Sequence, residues 1–370
     1  MSRLVVSIVI LLFIWAPILQ MVTGFPRPSA SVDENRKLAS TPKLGSFTEI
    51  HQYTSDLVKW FNDHFGFRNY LILAKTQVDF SVFGMSTRVH AGSDGWLFYR
   101  SVMDVEKPRI EARLIKDADA VIFGTRQLAS ALSTRGVKLI IMIAPMKDVY
   151  YSDYLPNTAK KLPNPRQVTL LSDRLRKMPE IIFLDSELIL KEVAKLRRVF
   201  HKTDFHWNDP AAFEVARSFV NQIGKLEGRV EPVWSHSLEI EERRFSGGEA
   251  AFMPLFYPPK ETGLFVKQNW TLPPHNSSEN KGQFEWIYEV EKPNITMLPP
   301  IAVIGDSFFD GMSRSGISMY FSKIYKVKWS EENLENIITN LPSGCKYLFV
   351  EFIEVNDGAY TKLISGISIK

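Results

Sequence analysis

A single cysteine, Cys345, stands in the 370 residues. It excludes an intrachain disulfide, and no Cys/His ligand spacing suggests a structural zinc site. Placed just before the apolar run Lys346-Tyr347-Leu348-Phe349-Val350, it reads as a small buried hydrophobe at a strand entrance rather than as a nucleophile. There is also no excess of one charge: 45 basic against 41 acidic residues give a net +4, with no basic stripe. That balance excludes a dedicated nucleic-acid binder and leaves an anionic polysaccharide open as a ligand. Internal repeats are absent. What is present is a hydrophobic fraction of 45% and an aromatic fraction of 12%, enough for a packed core.

The N-terminus carries a nearly unbroken apolar stretch from Leu4 to Val22 behind Arg3, interrupted by Ser7, Pro17 and Gln20. As a helix it extends roughly 28 Å, close to the thickness of a bilayer core. Two readings stand: an uncleaved signal anchor with Arg3 on the cytoplasmic side, or a signal peptide cut after Gly24. Either exports the remainder, and export with one cysteine fits a bacterial periplasm better than a disulfide-rich extracellular module.

The expected organisation is a signal segment over residues 1–24, a tether and helical arm over 25–88, and one catalytic domain over 89–370. Pro26, Pro28, Ser29, Ser31, Pro42 and Gly45 mark the tether. Tyr53, Leu57, Trp60, Phe61 and Phe65 have the spacing of an apolar helix face. Beyond Gly92-Ser93-Asp94-Gly95, helical stretches alternate with continuous apolar runs at 137–144, 181–185, 301–304, 324–327 and 347–353. Runs of this kind belong to strands buried on both faces, so an α/β fold with a parallel sheet is expected. Asp209 and Pro210 mark a helix start as N-cap and first residue. Residues 229–298 break the rhythm and read as a β-rich insertion.

Two short motifs carry chemistry. In Ile301-Ala302-Val303-Ile304-Gly305-Asp306-Ser307-Phe308 an apolar strand ends in a turn that opens a helix. That turn puts the Ser307 hydroxyl at the carboxyl edge of the sheet, where the first helical N–H groups can stabilise an oxyanion. A serine nucleophile needs a base and an orienting carboxylate. Asp204-Phe205-His206-Trp207 supplies both: in an extended stretch Asp204 and His206 face one side together. As a metal site Asp204 and His206 fall short, since zinc needs three or four ligands and His201 is a poor third. Lys147 and Tyr151 follow a strand end, and two readings stand: they line the cleft and bind an anionic polymer or the tetrahedral oxygen, or they are exposed loop residues without a role. Arg314, on the helix beyond Ser307, is a further candidate for substrate contact, weighed against a solvated helix charge. Trp96 and Phe98 read as core. Asn269-Trp270-Thr271, Asn276-Ser277-Ser278 and Asn294-Ile295-Thr296 match glycosylation sequons, which matter only in a eukaryotic secretory pathway.

Together these motifs resemble a known family. Gly305-Asp306-Ser307-Phe308 is similar to the nucleophile block of SGNH hydrolases, and Asp204-Phe205-His206-Trp207 resembles the Asp-x-His-Trp block of the AlgJ/AlgX polysaccharide O-acetyltransferases of alginate and cellulose. The Asp/His block precedes the serine block, as in the permuted AlgJ/AlgX order. Glu34-Asn35-Arg36, Asp63-His64-Phe65-Gly66-Phe67-Arg68, Gly92 to Tyr99, and Ala144 to Tyr151 with Tyr154-Leu155-Pro156 also resemble this family. The resemblance implies an SGNH-like three-layer α/β fold. It implies acetyl transfer to hydroxyls of an exported polysaccharide through an acyl-Ser307 intermediate, with His206 as base and Asp204 as its orienter. It further implies an integral membrane acyltransferase, MBOAT-like, as acetyl donor and no metal or diffusible cofactor. The same triad also suits a carbohydrate acetylesterase, and the fold alone suits a non-catalytic polysaccharide-binding subunit. Phe245-Ser246-Gly247-Gly248-Glu249 looks like a degraded Gly-Asp-Leu motif. Since the last predicted strand falls near the end of the chain, the C-terminal carbohydrate-binding module of AlgX-like members is expected to be absent.

Overall fold

A computed structural model describes residues 3–25, 37–43, 45, 50–100, 107–159, 166–327 and 334–365. The first helix, α1 (Arg3–Thr23), is continuous through Pro17. Among the described residues it is the one helix long and apolar enough to cross a membrane, with a mean hydropathy of 2.5 over Leu4–Thr23. Most of the Pro/Ser-rich tether, and Glu34-Asn35-Arg36 with it, lies outside the described residues. The arm is a helix pair, α2 (Ile50–His64) and α3 (Arg68–Phe83), joined where Phe67 takes a left-handed backbone.

The remaining elements, in chain order, are β1 (Val89–Ala91), β2 (Leu97–Tyr99), α4 (Lys107–Ser133), β3 (Lys138–Ala144), α5 (Asp148–Tyr151), α6 (Gln167–Arg176), β4 (Ile181–Phe183), α7 (Ser186–Ala194), α8 (Asp209–Leu226), β5 (Ile240–Phe245), α9 (Gly248–Ala251), β6 (Glu261–Val266), β7 (His275–Lys281), β8 (Phe284–Val290), β9 (Ile301–Ile304), α10 (Ser307–Arg314), β10 (Lys323–Val327), α11 (Leu334–Thr339), β11 (Tyr347–Ile353) and α12 (Asp357–Ser365). Seven strands form the main sheet in the order β4-β3-β11-β9-β10-β8-β7. The first five run parallel, while β10–β8 and β8–β7 pair antiparallel. This is the expected α/β architecture with a largely parallel sheet, a helix–sheet–helix sandwich.

The continuous apolar runs are explained by the two cores they feed. Along β3, Ile140, Met142 and Ala144 enter one core with Trp207, Phe213 and Phe308, while Leu139, Ile141 and Ile143 enter the other with Leu128, Leu171 and Leu363. In β11, Tyr347 and Phe349 face the first core and Leu348, Val350 and Phe352 the second. Period-two alternation with no polar face is what a sheet covered on both sides requires.

The segment 229–298 contains four strands, and they go to two places. β5 and β6 pair with each other, whereas β7 and β8 extend the main sheet. The cap of α8 differs from expectation by one residue. Asn208 is the N-cap, its side chain accepting the Ala211 N–H at 3.0 Å, and its own N–H bonds the Val199 carbonyl at 3.0 Å. Asp209 is released from capping and pairs with Arg314 at 3.0 Å.

Candidate active site

Ser307 is the first residue of α10, reached from β9 across Gly305-Asp306. Asp306 is the N-cap, its Oδ1 accepting the Phe308 N–H at 2.9 Å. Phe308, Phe309 and Met312 are fully buried and fasten the helix to the sheet, while Ser307 is left exposed. Gly305 is required by crowding: a Cβ there would lie 2.9 Å from Phe309 Cβ and 3.1 Å from Glu351 Oε2.

Asp204 and His206 sit on a short excursion closed at its base by an antiparallel bridge between Phe200 and Trp207. The buried Trp207 anchors the exit. The path through 202–206 is a series of bends rather than an extended strand. Proximity of Asp204 and His206 comes from a tight turn in which Asp204 Oδ1 accepts the His206 backbone N–H at 3.0 Å. The same oxygen lies 2.6 Å from His206 Nδ1, and His206 Nε2 lies 2.7 Å from Ser307 Oγ. With Nδ1–H donating to the carboxylate, Nε2 presents its lone pair to the hydroxyl. Phe205 and Phe308 flank the imidazole at centroid distances of 4.0 and 5.1 Å and limit its rotation.

The second carboxylate oxygen of Asp204 accepts the Gly248 N–H at 2.7 Å. Burial works to raise the Asp204 carboxyl, but the His206 ring, the His206 N–H and the Gly248 N–H overcome it and hold the group well below the usual carboxylate range. Asp204 is therefore ionised wherever His206 could serve as a base. Gly248 comes from the segment 229–298, so the Gly-Gly-Glu run that read as a degraded motif supplies an orienting donor. At Gly247 a Cβ would meet Asp204 Cβ at 2.5 Å, so glycine lets the two segments approach.

Lys147 does not line the cleft. Its side chain is 1% exposed and forms a buried ion pair with Glu249. Its ammonium also donates to the carbonyls of Lys202 and Asp204, each at 3.1 Å, and lies 5.3 Å from the Phe98 ring centroid. A buried ammonium needs such partners because desolvation lowers its pKa, just as desolvation pushes Glu249 up to about 7. Lys147 thus supports the Asp204 loop from beneath. Lys147→Met leaves Glu249 buried without its cation and is expected to cost about 3–5 kcal/mol, seen as a lower Tm. The double variant Lys147→Met/Glu249→Met is expected to recover most of that loss.

Tyr151 is half-buried and engaged with the protein: its hydroxyl accepts the Val199 N–H at 2.9 Å, and its ring stacks on Trp96 at 4.1 Å. Arg314 occupies the opposite end of α10 from Ser307, 57% exposed while bound to Asp209. Thr203 completes the support, accepting the Gly247 N–H at 3.0 Å and donating to Glu261 at 3.0 Å. Glu261 and Glu351, which carried no signal in the sequence, are buried acids, as is Glu249. His201 packs between Phe245 and Phe265, and burial lowers it to about 4. Among the described residues no group of three or more His, Cys, Asp or Glu side chains is arranged to hold a metal.

A parallel sheet with the serine turn at its carboxyl edge, and a His/Asp loop beside it, defines an SGNH hydrolase-like protein. Residues 89–310 match the family model described as the SGNH hydrolase-like domain of acetyltransferase AlgX, and the chain belongs to that family. A curated relative, "Probable alginate O-acetylase AlgJ" of Pseudomonas aeruginosa, is 27% identical over 168 residues. The match covers 44% of this chain and 40% of that protein, so the chain spans about two fifths of the length of this relative. Among solved structures, the O-acetyltransferase domain of Pseudomonas putida AlgJ is similar at a TM-score of 0.45 and 14% identity, covering 76% of this chain and 94% of that one. PatB1 of Bacillus cereus is similar at a TM-score of 0.48 and 12% identity, covering 66% and 92%.

Proposed function

We propose that this protein is a serine-dependent O-acetyltransferase that moves acetyl groups onto hydroxyls of an exported polysaccharide through an acyl-Ser307 intermediate. The observation that carries this reading is the relay Asp204–His206–Ser307: a 2.6 Å contact within the Asp204/His206 turn, and a 2.7 Å contact from His206 to Ser307, 101 residues further along the chain. His206, oriented by Asp204, takes the Ser307 proton as Oγ attacks the acetyl carbonyl of a donor. The Ser307 N–H at the start of α10 favours the oxyanion, the Phe308 and Phe309 N–H groups being taken up by Asp306. Collapse of the tetrahedral species breaks the bond to the leaving group, which receives the proton from His206. A sugar hydroxyl then gives its proton to His206, attacks the acetyl-serine, and leaves acetylated while Ser307 recovers its hydrogen.

Membership of the AlgX acetyltransferase family and the likeness to an alginate O-acetylase support alginate or a related acidic polymer as acceptor. An MBOAT-like integral membrane acyltransferase is the donor side of the same proposal. The apolar α1 would hold the protein at the periplasmic face of the inner membrane, with residues 25–88 as tether and arm and 89–370 as the catalytic domain. Arg314, alone of the three expected substrate contacts in keeping an exposed head group, remains a candidate for an anionic sugar.

The test is an acetyl-transfer assay on the full chain in detergent, with an activated acetyl ester as donor, run with and without acceptor oligosaccharide. Acetylated oligosaccharide in excess of free acetate is expected. Acetate alone, unaffected by acceptor, would make the protein an esterase. No turnover, together with a Ser307 inert to a serine-directed phosphonate, would leave a binding subunit.

A further inference from the structure

The turn that carries Ser307 is held from below by two carboxyl groups. Glu351 lies on β11 one position past the Val350–Ile304 pair, on the face that Phe349 and Tyr347 present to the first core, and is 0% exposed. A carboxyl group there interrupts an otherwise apolar alternation, and as an unpaired anion it would cost several kcal/mol in desolvation. Its contacts point to one place. Glu351 Oε2 accepts the Asp306 N–H at 3.0 Å, and the two carboxyl groups come close enough to act on each other. Asp306 in turn accepts the Phe308 N–H at 2.9 Å and the Ile353 N–H at 2.8 Å. The clamp therefore ties the first turn of α10 to the end of β11, and it reaches under Gly305, where a Cβ would come within 3.1 Å of Glu351 Oε2. Two carboxyl groups this close together, one of them fully buried, favour holding one proton between them.

We infer that Glu351 is a positioning residue: a neutral carboxylic acid that donates to the Asp306 carboxylate, accepts the Asp306 N–H, and so fixes Ser307 within reach of His206. The inference rests on the proposed role of Ser307 as nucleophile. The location of the proton follows from the surroundings. Burial, reinforced by the Asp306 charge, pushes Glu351 well above its ordinary range. Burial raises Asp306 as well, but the N–H groups of Phe308 and Ile353 pull it back, as does the nearby His206. Lys326, the cation facing Glu351 from β10, works against the neutral form but is itself bound to Asp310 and Glu285.

Three variants of the full chain test this: Glu351→Gln, Glu351→Met and Ser307→Ala. The amide of Glu351→Gln can donate and accept where the acid does, so kcat and KM stay near wild type. Glu351→Met fills the space without hydrogen bonds, and the serine shifts; kcat falls by about 10–100-fold with KM nearly unchanged. A loss in Glu351→Gln as large as that in Glu351→Met, or full kcat in Glu351→Met, would overturn the clamp. Two readouts need no turnover. The infrared carbonyl band of a protonated carboxyl, present at neutral pH, is expected to diminish in Glu351→Gln; no difference would overturn the neutral acid. The second is stability against pH. The native state keeps a proton that the unfolded chain loses above about pH 4.3, so the folding constant of wild type relative to Glu351→Gln falls about tenfold per pH unit above that point. A flat ratio would overturn the inference. If Ser307→Ala stays active the nucleophile assignment fails instead, while the infrared and stability results still decide whether the clamp exists.

Discussion

Ser307→Ala is expected to lower kcat for acetyl transfer by at least about 10⁴-fold while leaving the melting curve within about 0.5 kcal/mol of wild type. The two halves of this expectation have separate causes. In the proposed mechanism the hydroxyl carries the acyl group, so its removal abolishes the covalent route rather than weakening it. The side chain is exposed, and its hydroxyl bonds His206, which retains its Asp204 partner in the variant. No core contact is lost, since α10 is anchored by Phe308, Phe309 and Met312. Labelling by a serine-directed phosphonate should disappear in parallel. A variant that kept more than a tenth of wild-type kcat would place the nucleophile elsewhere.

Why the serine turn was legible in sequence, and much of its support was not, has a physical explanation. Ile301 to Ser307 is a local device: a buried strand, a glycine and a capping carboxylate occur within seven consecutive residues, and each is recognisable alone. The Asp204/His206 pair is equally local, although its geometry comes from a bend rather than from strand alternation. Lys147 was misplaced because its direction is decided by Glu249, 102 residues later, which offers a buried anion where the sequence suggested only a strand-end loop. Gly248 was missed for the same kind of reason. A backbone N–H carries no side-chain signature, and its acceptor Asp204 lies 44 residues earlier. The strands of 229–298 read as an insertion because short amphipathic pieces with prolines look alike whether they pair with each other or with a sheet edge. Their partition, β5–β6 apart and β7–β8 on the main sheet, is fixed by the antiparallel register of β8 against β10.

That register matters for the site as well as for the fold. Lys326 on β10 is nearly buried and bonds Asp310 one turn along α10 from Ser307, while Glu285 from β8 reaches the same ammonium at 3.1 Å. The added strands and the nucleophile helix are thus joined through one cation. Burial disfavours the charge on Lys326, but the two carboxylates raise its pKa above the ordinary lysine value, so the link stays charged at neutral pH.

Asp204→Asn is expected to reduce kcat by about 10⁴-fold with KM changed only a few-fold. The carboxylate accepts from three donors: the His206 N–H, His206 Nδ1 and the Gly248 N–H. An amide has one oxygen for these three, and if its NH₂ turns to the imidazole it donates to Nδ1. The proton then moves to Nε2, which faces Ser307 as a donor and can no longer accept the hydroxyl proton. A pH series separates this tautomer effect from damage to the fold. Between the native and unfolded pKa values of Asp204 the unfolded chain binds more protons than the native one, so the carboxylate adds stability as pH rises through that window. The stability difference between wild type and Asp204→Asn should be full above about pH 4 and close as the pH falls further. The kcat deficit, by contrast, should persist at neutral pH, where both proteins are folded. A variant whose activity tracked its folded fraction would reduce Asp204 to a structural role; one that is folded and inert at neutral pH makes it the residue that sets which nitrogen of His206 holds the proton.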